Sequence, residues 1–164
     1  MQSSSTPCKL YSGERYHLAE SVGHQVFCLM NLMRREIEQR MAEHGLTDSQ
    51  WKPLWLIKTG IADTSFEMAR QLNMDAGAVT RMVDRVVVKG LVERVRSDSD
   101  RRVVHLRLTA AGETAVAEVP HVLAAVNNDF LRGFSESEWK QLQKLLSRMG
   151  ANGMALAARE PTEA

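Results

Sequence analysis

The apolar positions of this chain follow two periods, and the change between them marks out its architecture. From residue 17 to residue 44, Leu18, Val22, Val26, Leu29 or Met30, Met33, Ile37 and Met41 recur every three or four positions. That spacing predicts one long helix, stopped by Gly45. Residues 47 to 59 predict a second helix carrying Trp51, Leu54, Trp55 and Ile57, with Pro53 far enough inside to bend it or delay its start. Residues 65 to 72 predict a short helix with Phe66, Ala69 and Leu72 on its apolar side. Asn73 and Met74 leave room only for a tight turn, and Asp75 then caps a helix over 76 to 89 whose apolar side is Val79, Met82, Val83, Val86 and Val87. After Gly90 the period drops to two. Leu91, Glu93 and Val95 alternate in one run, and Val104, Leu106 and Leu108 in the next, so residues 91 to 108 predict a hairpin with RSDSDRR, residues 96 to 102, at its tip. Helical spacing returns at Val116, Val119, Leu123, Val126 and Phe130, with a bend expected near Pro120, and again at Trp139, Leu142, Leu145, Leu146 and Met149, where Gly150 and Gly153 weaken the end.

Helix starts are punctuated by chemistry. Thr47 with Gln50, Thr64 with Glu67 and Ser135 with Glu138 fit the capping box, in which a hydroxyl accepts an early helical N–H and the fourth residue reaches back to the cap's own N–H. Two helices joined by so few residues, followed by a hairpin, make a winged helix-turn-helix with the second helix as reader. The fold class is therefore mainly α with a small β-hairpin wing, a winged helix-turn-helix flanked by N- and C-terminal helices. The outer helices carry more apolar surface than the middle needs, which points to dimerisation helices packing on a second copy. The expected organisation is a polar tail over 1–14, a helical dimerisation lobe from 15–46 and 109–158, a DNA-binding domain over 47–108, and a tail over 159–164.

Net charge is only +1, but its distribution is uneven. Residues 81 to 107 hold eight basic and four acidic residues, while the segments on either side are slightly acidic. A positive segment on a near-neutral chain is the footprint of a polyanion-binding element. Cys8 and Cys28 have neither CxxC nor zinc spacing and read as free thiols, Cys28 as a buried and inert one. No nucleophile–base pair, metal set or phosphate loop is present, so an enzyme is not expected. No apolar run reaches eighteen residues and the first fifteen do not read as a secretory signal, so the expected location is the cytoplasm.

The run GAVTRMVDRVVVKGLVERVRSDSDRRVVHLRLTAAG, residues 77 to 112, resembles the winged helix-turn-helix of the MarR family of bacterial transcription regulators. The resemblance rests on TRMVDRVVVKGLVER, on the D-x-R wing signature at Asp100, Arg101 and Arg102, and on LT-x-x-G at Leu108 to Gly112. It implies a homodimer on a pseudo-palindromic double-stranded operator, commonly a repressor released by a small aromatic, phenolic or nicotinate-like acid.

Small Ala76, Gly77 and Ala78 allow the reading helix close to the groove floor. Thr80 and Arg81 lie on its polar side, where Arg81 can take a guanine in bidentate fashion, and Arg85 is placed for a phosphate. Thr64 and Ser65 offer hydroxyls and N–H groups to a phosphate. Arg96 and Arg101 read as backbone contacts. Arg102 resembles the family's minor-groove arginine, and Asp100 is placed to hold its fork. The competing reading pairs Arg81 and Arg85 with Asp84 on a solvated face. An aromatic acid needs stacking walls, one cation and one donor, for which Arg15, His24, Arg34, Trp51 and Trp55 are the candidates. Two alternatives remain: a redox-sensing repressor using Cys8 or Cys28, and a winged-helix protein-interaction module that does not bind DNA.

Overall fold

The computed structural model describes residues 10–97, 99, 100 and 102–158. Cys8, Asp98, Arg101 and the outer parts of both tails lie outside the described residues. Two short 3-10 turns, Gly13–Arg15 and Leu18–Glu20, precede α1 (Val22–Glu43). Then come α2 (Asp48–Lys58), α3 (Ser65–Leu72) and α4 (Ala76–Val88). β1 (Val92–Arg96) and β2 (Val104–Leu108) form an antiparallel pair in which Val92 faces Leu108 and Arg96 faces Val104. Helices α5 (Ala110–Val116), α6 (Val119–Phe130) and α7 (Glu136–Ala157) complete the chain. The chain divides into two compact units, Met1–Val126 and Asn127–Ala164. No helix among the described residues is long and apolar enough to cross a membrane.

The first unit has a well-packed centre. Leu54, Met68, Val79, Val83 and Val86 are fully buried, joined by Val92 and Leu106 from the hairpin and by Val116 and Val119 beyond it. α4 packs on α3, α2 and β1. The turn into α4 is set by Asn73, whose left-handed φ of 49° ends α3. Met74 N–H then bonds back to Ala69 carbonyl, as in a Schellman closure, and Asp75 carboxylate accepts Ala78 N–H at 2.8 Å. In the second unit, α7 starts from a complete capping box between Ser135 and Glu138.

Several expectations change. The long helix begins at Val22, not at residue 17, because Ser21 accepts His24 N–H and is itself held by Tyr16 hydroxyl at 2.8 Å. α2 starts on schedule at Asp48, with Thr47 N–H donating to Gln50 Oε1 at 3.1 Å, and Pro53 is absorbed inside it as a buried residue. On α3, Met68 is the buried residue and Phe66 stands 72% exposed. In the hairpin Val92, not Leu91, is the buried position of β1. The break near Pro120 falls at residues 117 and 118, one turn upstream, where the proline ring would meet the carbonyl of residue 116 in a continuous helix. α7 runs through Gly150 and Gly153 to Ala157.

The LT-x-x-G run has a steric cause. Thr109 hydroxyl donates to Gly90 carbonyl at 2.6 Å, Thr109 N–H donates to Leu91 carbonyl at 3.1 Å, and Gly112 N–H donates to Thr109 Oγ1. A Cβ on Gly112 would lie 1.9 Å from Leu91 carbonyl oxygen, so only glycine fits where α5 crosses the start of the hairpin.

Candidate nucleic-acid interface

The exposed face of α4 carries the residues expected to read bases. Ala76, Gly77, Thr80, Arg81 and Arg85 are exposed and Ala78 half-buried. Thr80 hydroxyl donates to Ala76 carbonyl at 2.8 Å, which leaves its methyl and oxygen lone pairs outward. Arg81 folds toward the helix start, with Nη1 placed 3.4 Å from where a Cβ on Gly77 would stand. The expected partner of Arg81 and Arg85 is engaged elsewhere, since Asp84 Oδ1 accepts from Arg94 Nη2 of β1 at 2.6 Å. Among the described residues neither Arg81 nor Arg85 has an ion pair. Both line a cleft of about 460 Å³ that α4 shares with the start of α2, including Thr47, Ser49 and Lys52, none of which the sequence points to as a DNA contact.

At the wing tip, Ser97 N–H donates to Val103 carbonyl at 3.0 Å and Val103 N–H to Asp100 carbonyl at 2.9 Å. Ser97 and Ser99 hydroxyls share a bond at 3.0 Å. Asp100 has a different task from the expected one. Its Oδ1 accepts the backbone N–H of Arg102 at 2.9 Å, so it fixes the backbone turn and not the guanidinium. The cause is reach: an aspartate two residues upstream closes an Asx turn on the nearer N–H. Arg96 and Arg102 are exposed and free of ion pairs among the described residues.

The start of α3 is more committed than expected. Thr64 hydroxyl accepts Glu67 N–H at 3.2 Å and donates to Glu67 Oε2 at 3.0 Å, and Thr64 N–H goes to the same oxygen at 3.2 Å. Only Ser65 keeps its hydroxyl for an outside ligand among the described residues. The Glu67 carboxyl is held below its usual range, first by Asp63 backbone N–H and then by Thr64 hydroxyl.

The five effector candidates are not brought together. Arg34 and Trp51 line a mostly apolar cavity of about 300 Å³ between α1 and α2, alongside Met30, Met33, Ile37 and Asp48. Trp55 is half-buried and packs on the core, while Arg15 sits in an exposed turn and His24 lies elsewhere on α1. Arg34 is paired with Glu38 at 3.2 Å. Trp51 Nε1 and Asp48 Oδ1 are buried without a partner. The thiol of Cys28 is exposed, contrary to expectation, because α1 turns that flank away from the core; its Sγ lies 3.5 Å from His24 Nε2.

A short helix-turn-helix backed by a two-stranded basic wing defines a winged-helix protein. Residues 46–104 match the family model described as the MarR family. The wild-type apo form of MarR from E. coli superimposes with a TM-score of 0.68 at 26% identity, over 79% of this chain and 96% of that one. A mutant MarR from E. coli complexed with operator DNA gives 0.69 at 26%, over 77% and 91%. A MarR transcriptional regulator from Methanosarcina mazei Go1 shares the fold, with 0.73 at 20% identity over 82% and 97%. Residues 46–104 thus match the MarR family, and the fold is the winged helix-turn-helix of the MarR structures.

Proposed function

We propose that the protein is a dimeric repressor that binds a pseudo-palindromic operator and is released by a small aromatic or heteroaromatic acid. The observation that carries the DNA reading is a set of exposed cations on one continuous element pair, without ion pairs among the described residues: Arg81 and Arg85 on α4, Arg96 and Arg102 on the wing. α4 enters the major groove, with Thr80 and Arg81 on base edges and Arg85 on the backbone. Arg102 enters the adjacent minor groove, which is narrow and most negative at A·T pairs. Arg96, Arg101 and Ser65 hold phosphates. The likeness to a MarR solved with operator DNA supports this arrangement. Dimerisation is supported by the exposed apolar residues of α1 and α7, among them Phe27, Leu32, Leu145 and Leu146.

The experiment is selection of bound duplexes from a random pool, followed by titration of Arg102→Ala. Two half-sites one helical turn apart are expected. Arg102→Ala should weaken binding by about 1–3 kcal/mol, or roughly ten- to a hundredfold, with fold and dimer intact. Unchanged affinity removes the wing from the interface. Raising salt should weaken binding steeply, about −0.9 in the log–log slope per phosphate contact.

For the effector, the cavity that holds Arg34 and Trp51 is the favoured seat; it offers a flat aromatic wall, apolar sides and one guanidinium. A thermal-shift panel of aromatic acids tests it, and no shift together with no loss of DNA binding rejects it. A second reading, release by thiol oxidation, is favoured by the exposure of Cys28 beside His24. Cys28→Ser that still loses DNA on peroxide treatment rejects Cys28 as the sensor.

A further inference from the structure

Each edge of the wing carries a polar tie to the rest of the DNA-binding domain. On β1, Arg94 Nη2 meets Asp84 of α4 at 2.6 Å. On β2, His105 Nδ1 meets Asp63 Oδ2 at 3.0 Å, and Leu106 N–H donates to Asp63 carbonyl at 2.6 Å. The ladder sets Arg94 opposite Leu106 and Val95 opposite His105, so the ties grip the ribbon at neighbouring rungs from opposite edges. Asp63 is itself anchored. Its N–H donates to Glu67 Oε2 at 3.1 Å, the oxygen that also takes Thr64 N–H and hydroxyl. A continuous run of bonds therefore links the wing strand to the cap of α3.

A lone two-stranded ribbon is only marginally stable, and its direction is set by what holds it. Val92 and Leu106, each 2% exposed, secure the base. Toward the tip burial fades, and both Arg96 and Arg102 are exposed. Arg102 lies three positions before His105, about 10 Å of extended chain. A small rotation at His105 thus becomes a displacement of the guanidinium at the tip. The Asp63–His105 pair has side chains 49% and 36% exposed, so it adds little to global stability. Its effect is on geometry.

We propose that Asp63 and His105 are positioning residues for DNA recognition: their contact fixes the wing against the start of α3 and so sets where Arg102 meets the minor groove. This rests on the wing reading above, in which Arg102 touches DNA; Asp63 and His105 do not.

The test is a double-mutant cycle on the full chain, with fluorescent A·T and G·C duplexes as probes and anisotropy as the readout. His105→Ala and Asp63→Ala should each weaken A·T binding roughly three- to tenfold, leave G·C binding and the thermal midpoint unchanged, and have no further effect when Arg102 is already alanine. His105→Gln, whose amide can still donate to Asp63, should recover most of the loss. Equal losses in both backgrounds, or full A·T affinity in His105→Ala, overturn the proposal. If Arg102→Ala itself keeps full A·T affinity, the wing reading fails and the positioning role with it. If Arg102→Ala is weakened and His105→Ala is not, the positioning role alone fails.

Discussion

The middle and the outer helices of this chain carry similar apolar stripes and use them in opposite ways. α4, thirteen residues long, buries Val79, Met82, Val83 and Val86. α1 and α7, each twenty-two residues, bury Met41 alone and nothing. The period is three or four in all of them, so periodicity shows that a helix has an apolar face and leaves open where the cover comes from. For α4 the cover is α2, α3 and β1 of the same chain. For α1 and α7, under the proposed dimer, it is a second copy.

The sharpest way to break that contrast is to charge the outer stripe. Leu145→Glu combined with Leu146→Glu, both half exposed in one chain, should cost the dimer more than about 3 kcal/mol by burying unpaired carboxylates. Sedimentation should show a monomer at micromolar concentration, while circular dichroism keeps most of its helix signal. A variant that still sediments as a dimer would mean that α7 is not the interface.

A smaller effect separates the two regions through their glycines. Gly112→Ala drives a Cβ against the backbone oxygen of Leu91, which has no rotamer to escape by. Urea unfolding should give a loss of about 2–3 kcal/mol. Gly150→Ala has nothing within 4 Å of the added carbon. It should be neutral or stabilising by up to about 1 kcal/mol, as in an open helix. Equal losses at both sites would contradict a tight middle and an open α7.

The smallest effect concerns the α3 cap. Glu67 is held below its ordinary pKa by Asp63 and Thr64. A lowered folded-state value contributes stability that is present above the unfolded pKa and lost as pH falls through the folded one. The gap in thermal midpoint between wild type and Glu67→Gln should therefore be steady at neutral pH and close as the solution is acidified below the ordinary carboxylate range. No gap at any pH would assign the cap to Thr64 alone, and a gap that persists in acid would show that the charge of Glu67 is not what stabilises it.

What was legible in the sequence was local or periodic. The boxes at Thr64 and Ser135 are visible because both partners sit within one turn. The cap at Ser21 has no such signature, because its third neighbour is His24, not an acid or amide, and the Tyr16 hydroxyl that holds it is a tertiary contact. The phase of α3 is ambiguous in the sequence because eight residues give too few repeats to separate the face of Phe66 from that of Met68. The role of Asp100 turns on whether its carboxylate reaches a backbone N–H or a guanidinium, a difference set by turn geometry. Asp63–His105 spans forty-two residues and leaves no pattern to read. The α1–α2 cavity joins two helices in the same way, and so gathered only two of the five residues proposed for it.

The crossing at Gly112 has a mechanical consequence. There the end of α4, the first strand of the wing and the start of α5 are fastened by Thr109 and pressed together without room for a methyl group. Close-packed joints transmit displacement because they have no free volume in which to absorb it. A push on α5 would be delivered to the reading helix and the wing together, as the motion of one lever and not two.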